Sequence, residues 1–275
     1  RAMEAISSKL LEPRSGIPQW VPTDWDHIYD QGLQSLRLGG MMTQLNAMAI
    51  GAYDANSSRW IRPMQFQDIP IEMRDNGFLN ITPEVRRDRY QLATVDTVQT
   101  SFLKSSGVVL AIVAHRTRNT AYIARCIELL EALNSYVPLQ RPGSTYHDQN
   151  VSMTADGDGV WLATAWGIDA IVEMLSALKD DVPVNLRDRL KSQLRQEVLR
   201  ITTDWADKRP WFVKGRRPQS NQWIEPNIGL VKACMYLGDP ALTDAYNLGA
   251  ENIAASLAMY GADGSYPEGG SYAEM

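Results

Sequence analysis

Two short motifs near the C-terminal end of the chain contain residue types that could do chemistry. The first runs Arg216-Arg217-Pro218-Gln219-Ser220-Asn221-Gln222-Trp223-Ile224-Glu225-Pro226-Asn227, and the second Gly261-Ala262-Asp263-Gly264-Ser265-Tyr266-Pro267-Glu268-Gly269-Gly270-Ser271-Tyr272. Amide, carboxylate, phenol and guanidinium groups alternate there with the glycines and prolines of turns. Such groups are poorly suited to a core and often line a site. The motifs therefore predict one functional cleft, to which both contribute.

The spacing of these motifs resembles that of a family of enzymes. An Asn-x-Trp stretch that opens a helix, then a helical hairpin, then Asp-Gly-Ser-Tyr-Pro-Glu-Gly-x-Ser-Tyr is similar to the heparinase II/III-like polysaccharide lyases. The match covers Asn221 to Tyr272, about a fifth of the chain. More loosely, the pattern resembles alginate and chondroitin lyases built on an (α/α) toroid.

The resemblance implies a fold and a domain organisation. It predicts an all-α protein, an incomplete (α/α) toroid or barrel of helical hairpins with alternating inner and outer helices. Residues 1–275 are then the toroid catalytic domain, the N-terminal part of a longer chain in which a β-sandwich domain follows. It further implies a secreted or periplasmic protein.

The resemblance also implies a reaction. Such lyases cleave uronic-acid-containing polysaccharides by β-elimination, which requires neutralising the C5 carboxylate, removing the C5 proton and protonating the departing O4. It implies that Asn221 hydrogen-bonds the substrate carboxylate, since an amide offers two donors without a negative charge. It also implies that Tyr272 is the catalytic base or acid. Ser220 and Asn221 also fit the N-cap of a following helix. Gln222 stands where several alginate lyases carry histidine, which excludes a histidine base there.

The other predicted site residues are expected to bind the substrate: Glu268, Glu225, Tyr266, Arg216, Arg217, Trp211, Trp223 and His147. Basic groups hold anionic sugars and tryptophan rings stack on pyranoses, which favours the basic and aromatic stretch 208–217. A solvated loop between helices has the same composition, and Glu225 and Glu268 are also acceptable as ordinary helix-start and turn carboxylates. His147 is the one histidine in a site-like loop.

Two other functions remain open at this point. A glycoside hydrolase on an (α/α) barrel needs two carboxylates that flank the glycosidic bond, and Asp263, Glu268 or Glu225 could supply them. A helical domain that binds carbohydrate without turnover needs neither base nor acid.

The composition of the chain limits the classes of protein to which it can belong. The 275 residues carry a net charge of −5, with 44% hydrophobic and 21% charged residues, which is typical of a globular domain and argues against a general nucleic-acid binder. The sequence lacks an apolar run long enough for a membrane span, and its motifs indicate no cofactor and no metal site. Cys126 and Cys234 lie among apolar neighbours and are predicted to be buried free thiols.

Helices must position these residues. Hydrophobic periodicity and capping signals predict helices over about 83–115, 119–136, 159–178, 184–207, 224–237 and 240–260. The first of these is predicted to have a break at 105–107. Residues 159–178 are apolar enough to be well buried, 184–207 are amphipathic enough to face water on one side, and 138–158 are predicted to form a loop. The sequence contains no convincing series of strands.

Overall fold

The structure, a computed structural model, describes residues 16–22, 24, 100–101, 103–140, 159–261 and 265. Within these ranges the regular structure is helical and no strand occurs. The described ranges contain seven complete α-helices: α1 (Val108–Thr117), α2 (Thr120–Asn134), α3 (Leu162–Leu178), α4 (Val184–Ala206), α5 (Trp211–Lys214), α6 (Asn221–Leu237) and α7 (Thr243–Leu257). A π-helical turn, Leu103–Gly107, leads into α1, and 3-10 turns at Lys179–Asp181 and Pro240–Leu242 precede α4 and α7.

Local signals in the sequence set most of these bounds. The predicted break at 105–107 is the π-helical turn before α1. Asn119 caps α2, its Oδ1 accepting the N–H of Ala121 at 2.9 Å. Gly238 ends α6 with a φ of 60°, a left-handed conformation that glycine adopts without the penalty of a Cβ atom. The helices predicted from periodicity are confirmed wherever the structure describes them.

Several predicted boundaries are off by three residues: α3 begins at Leu162 and not at 159, and α7 spans Thr243–Leu257 and not 240–260. We expected a helix from Ile224, whereas α6 begins at Asn221. Ser220 is the N-cap, because its Oγ accepts the N–H of Gln222 at 3.2 Å. Asn221 is therefore the first helical residue and not a cap.

Helices α1, α3 and α6 pack side by side in one layer, called layer A here. Arg118, just after α1, donates two hydrogen bonds of 2.7 Å to Asp181, just after α3, while Gly107 and Met174 are in contact further back. These contacts occur in the same order along both helices, so α1 and α3 run in the same direction.

The same test applies to α3 and α6. Gly229 lies against the backbone of Ala165, and further along both helices Lys232 contacts Asp169 and Glu173. The order is again preserved, so the three helices of layer A are parallel.

Helices α2, α4 and α7 form a second layer, layer B. Along α2 and α4, Glu131 pairs with Arg189, and Gln193 then donates to the carbonyls of Leu133 and Tyr136. These contacts make α2 and α4 parallel.

Helix α7 continues layer B in the same direction. Asp239, before α7, pairs with Arg195 of α4, and near the other end of α4 the ring of Trp205 contacts that of Trp223, which donates to the Asn252 carbonyl of α7. Layer B therefore runs antiparallel to layer A, because α6 and α7 form a hairpin.

The two ends of the layers differ. At one end, short turns of 118–119, 179–183 and 238–242 connect layer A to layer B. At the other, the longer connections 135–161 and 207–220 return the chain to layer A, and α7 ends there as well. We call this the long-loop end. The predicted site residues that the structure describes all belong to this end: Trp211, Arg216, Arg217, Asn221, Trp223 and Glu225.

The core is centred on α3. Fourteen of its seventeen residues are buried, as its apolar sequence predicted. Both cysteines are free and buried, and burial raises the pKa of each thiol to about 12. These thiols are packing groups.

Candidate functional site

A basic connection joins α4 to α6 at the long-loop end. Its cations Lys208, Arg209, Lys214, Arg216 and Arg217 are all exposed. Arg209 pairs with Asp207 at 3.2 Å and lies 3.7 Å from Asp204. Within the described ranges, the other four form no ion pair. Four exposed cations without a described carboxylate partner are suited to an anionic ligand.

The two tryptophans predicted to bind sugar have different environments. Trp211 is half-buried, with its ring edge-on to Phe212 at 5.9 Å. Trp223 is only 8% exposed, and its indole N–H donates to the Asn252 carbonyl at 3.0 Å. The ring of Trp223 therefore packs in the core at the start of α6, whereas Trp211 is partly exposed.

The first turns of α6 bring two predicted residues together. Asn221 is half-buried at the first helical position. Glu225 follows one turn later on the same side, with 17% of its side chain exposed and its Oε2 3.8 Å from the Nζ of Lys104. Lys104 Nζ also lies 5.7 Å from the centroid of the Trp166 ring, within the range of a cation–π interaction.

Lys104 and Trp166 were not predicted from the sequence. A periodic signal existed for Trp166, because the three residues of α3 that are not buried, Leu162, Trp166 and Asp169, are spaced by four and three, which places them on one side of the helix. Lys104 gave no such signal, since it lies in a π-helical turn far from Glu225 in the sequence.

A second charged cluster lies further along the contact between α3 and α6. Lys232 is hydrogen-bonded to Asp169 and pairs with Glu173. Burial disfavours the charge of Lys232, but the two carboxylates outweigh it and hold the pKa of this lysine above its ordinary value. The Nζ atom also lies 5.9 Å from the centroid of the Trp20 ring. With 17% of its side chain exposed, Lys232 is a structural cation.

Polar side chains of α4 hold the two ends of the connection that contains His147. At the first end, Glu197 Oε1 accepts the N–H of Leu139 at 2.7 Å, and Arg200 donates to the Gln140 carbonyl at 2.8 Å. At the second, Asp204 Oδ2 accepts the N–H of Val160 at 2.8 Å. These side chains fix both ends of the connection against layer B.

The remaining predicted residues, His147, Tyr266, Glu268 and Tyr272, lie outside the described residues, as does Asp263. The predicted convergence of Glu268 and Tyr272 on Asn221 and Glu225 stays a prediction. Only the chain before them is described, and α7 ends with Leu257 at the long-loop end.

Two further features concern metals and membranes in the described ranges. No group of three or more histidine, cysteine, aspartate or glutamate side chains there could hold a metal ion. None of the helices that the structure describes combines the length and hydropathy that a bilayer span requires.

Comparisons with family models, curated proteins and solved structures find no match to this chain. The resemblance to the lyases therefore depends on the two motifs themselves.

Proposed function

We propose that this protein is a polysaccharide lyase that cleaves a uronic-acid-containing acidic polysaccharide by β-elimination. The supporting observation is the composition of the long-loop end. It combines Asn221 and Glu225 on α6, the cation of Lys104, and exposed basic residues that pair with no described carboxylate. Such a surface favours a polymer that carries carboxylates.

We further propose that the two layers belong to an (α/α) toroid, with layer A inside and layer B outside. Parallel helices within each layer, joined alternately by short turns and long connections, are what successive hairpins of such a toroid require. The buried character of α3 suits an inner helix. On this proposal the chain is the toroid domain of a secreted or periplasmic enzyme in which a β-sandwich follows.

In the proposed reaction, the amide of Asn221 donates to the substrate carboxylate and withdraws charge as the C5–H bond breaks. The C5 proton passes to a base, the C5–H electron pair forms the C4=C5 double bond, the C4–O4 bond breaks, and O4 takes up a proton. The Tyr272 phenol acts as base or acid. A tyrosine has an ordinary pKa near 10, so neighbouring cations would be needed to favour its phenolate.

The test measures unsaturated uronide, which absorbs in the near ultraviolet, released from alginate, chondroitin, heparan and hyaluronan chains. We expect Tyr272→Phe to lower the rate on the order of 10²- to 10⁴-fold while substrate binding persists. Asn221→Ala should also slow the reaction, because it removes a donor that matters most as charge develops on the carboxylate. Asn185→Ala, an exposed substitution on α4, is the control.

The alternatives give distinct results. New reducing ends without unsaturation would identify a glycoside hydrolase, and binding without any product a carbohydrate-binding domain. Wild-type rates for Tyr272→Phe would remove Tyr272 from the mechanism.

A further inference from the structure

Lys104 connects three elements of layer A at the long-loop end. It lies in the π-helical turn before α1, its Nζ is 5.7 Å from the Trp166 ring centroid on α3, and 3.8 Å from Glu225 Oε2 on α6. Glu225 is one turn from Asn221, a rise of about 6 Å along the helix axis. The ammonium therefore contacts α6 one turn beyond the proposed carboxylate-binding amide, and it contacts α3 through Trp166.

A comparison with Lys232 shows that the two lysines are held differently. Lys232 is bracketed by Asp169 and Glu173 with 17% of its side chain exposed. Lys104 has 37% of its side chain exposed, and among the described residues it has a single carboxylate neighbour, at 3.8 Å, which exceeds hydrogen-bonding distance. Within the described ranges no hydrogen bond engages its Nζ. An ammonium has three donors, so Lys104 can donate hydrogen bonds to an anion from solvent. The donors of Lys232 are already directed at Asp169 and Glu173.

We propose that Lys104 binds the carboxylate of the uronate unit adjacent to the one held by Asn221, and that Trp166 and Glu225 position its ammonium. The proposal rests on the proposed function, which it deepens by naming a second carboxylate-binding subsite. The Trp166 ring attracts the cation, and the Glu225 carboxylate restrains it from the α6 side without occupying its donors. The substrate class is then a polymer with uronates on consecutive units, because each of the two subsites binds one uronate carboxylate.

Two adjacent carboxylate-binding subsites can distinguish polymers by how many neighbouring units carry a carboxylate. A polymer in which uronate alternates with an uncharged sugar presents only one carboxylate to the pair Asn221 and Lys104. A homopolymer of uronate presents two. We expect the Lys104 subsite to favour the homopolymer.

The experiment measures the dissociation constant of short oligouronates, such as oligomannuronate, and of the same oligomers with their carboxyl groups reduced to alcohols. The Lys104→Met variant should bind the charged oligomer about 10- to 100-fold more weakly, since it loses a charge-assisted hydrogen bond, and the reduced oligomer as wild type does. Lys104→Arg should retain most of the affinity. Lys191→Met, which removes a half-buried cation from α4 in layer B, is the matched control. A denaturation curve of each variant verifies folding.

The outcomes separate this inference from the proposed function. If the protein releases unsaturated product and Lys104→Met binds the charged oligomer as tightly as wild type, the subsite is overturned and the lyase proposal stands. If no unsaturated product forms but affinity still depends on Lys104 and on the carboxylates, the subsite stands and the lyase proposal falls. If wild type binds no oligouronate, both are overturned.

Discussion

At the scale of single residues, Asp204 carries the clearest electrostatic cost. Its side chain is buried beside Val160, and burial raises the pKa of the carboxyl above its ordinary value, although the Val160 N–H and the guanidinium groups of Arg200 and Arg209 act in the opposite direction. A carboxyl that is harder to ionise in the folded protein than in the unfolded chain binds its proton more tightly when folded. Its contribution to the free energy of unfolding therefore falls as the pH rises through the interval between the unfolded and folded pKa values.

This sign can be tested with Asp204→Asn, which keeps an oxygen for the Val160 N–H and removes the charge. Both proteins are neutral at this position at low pH, whereas only wild type carries a buried charge at neutral pH. We expect the free energy of unfolding of the variant to increase, relative to that of wild type, when the pH is raised from about 4, the ordinary aspartate value, to about 7. Urea denaturation across this range measures it, with Asp188→Asn, exposed on the same helix, as control. If the free energy of unfolding of the variant instead decreased relative to that of wild type as the pH rose, the raised pKa of Asp204 would be contradicted.

Only part of the candidate site was predictable from sequence. Asn221 and Glu225 lie within one motif, so spacing alone placed them one turn apart. Lys104 reaches Glu225 from the turn before α1, and Trp166 on α3 contacts that lysine. No local pattern encodes contacts between such distant segments. The burial of Trp223 was missed for the same reason, because its partners Trp205 and Asn252 come from other elements.

At the scale of elements, the contact between α3 and α6 depends on a glycine. A Cβ atom at Gly229 would lie 3.0 Å from the Cα of Ala165 and 3.4 Å from its Cβ. The first of these is a backbone atom, which moves only if the helix moves. Gly229 therefore allows the two helices of layer A to approach closely, between the Lys104 and Lys232 clusters.

We expect Gly229→Ala to destabilise the protein. Alanine gains about 1 kcal/mol in helix propensity, but overpacking a tight contact typically costs about 1–3 kcal/mol, and the contact is with backbone. The free energy of unfolding from chemical denaturation should fall while helix content by circular dichroism is retained. A variant more stable than wild type would mean that α3 and α6 separate at little cost.

Helix ends were easier to predict than helix directions. Asn119, Ser220 and Gly238 determine their helix ends through bonds and torsions within a few residues, which a sequence displays. The parallel course of α1, α3 and α6 depends on which side chains meet across the layer. That information is distributed over the chain, and periodicity alone fits an ordinary bundle equally well.

At the scale of the molecule, the two layers share one core, and each contains a cysteine. Cys126 belongs to α2 in layer B and Cys234 to α6 in layer A, and both are fully buried. With a pKa of about 12, roughly one thiol in 10⁴ is ionised at pH 8. Neither thiol should react with a disulfide reagent while the protein is folded.

Thiol labelling therefore measures whether the layers unfold together. We expect the single-cysteine variants Cys126→Ala and Cys234→Ala to report the same free energy of opening and the same dependence on urea. Equal values indicate one cooperative unit. Faster labelling of Cys126 than of Cys234 would show that layer B opens while layer A stays folded.

The common direction of the helices in layer A also shapes the electric field at the long-loop end. A helix carries roughly half a positive elementary charge at its start and half a negative one at its end. Helices α3 and α6 begin at that end, while α2, α4 and α7 finish there, so positive poles of one layer lie beside negative poles of the other. An anionic chain is attracted towards layer A and repelled by the ends of layer B, except where Lys208 follows the C-terminus of α4 and offsets its negative pole. The backbone thus biases the approach of a polyanion before any side chain touches it.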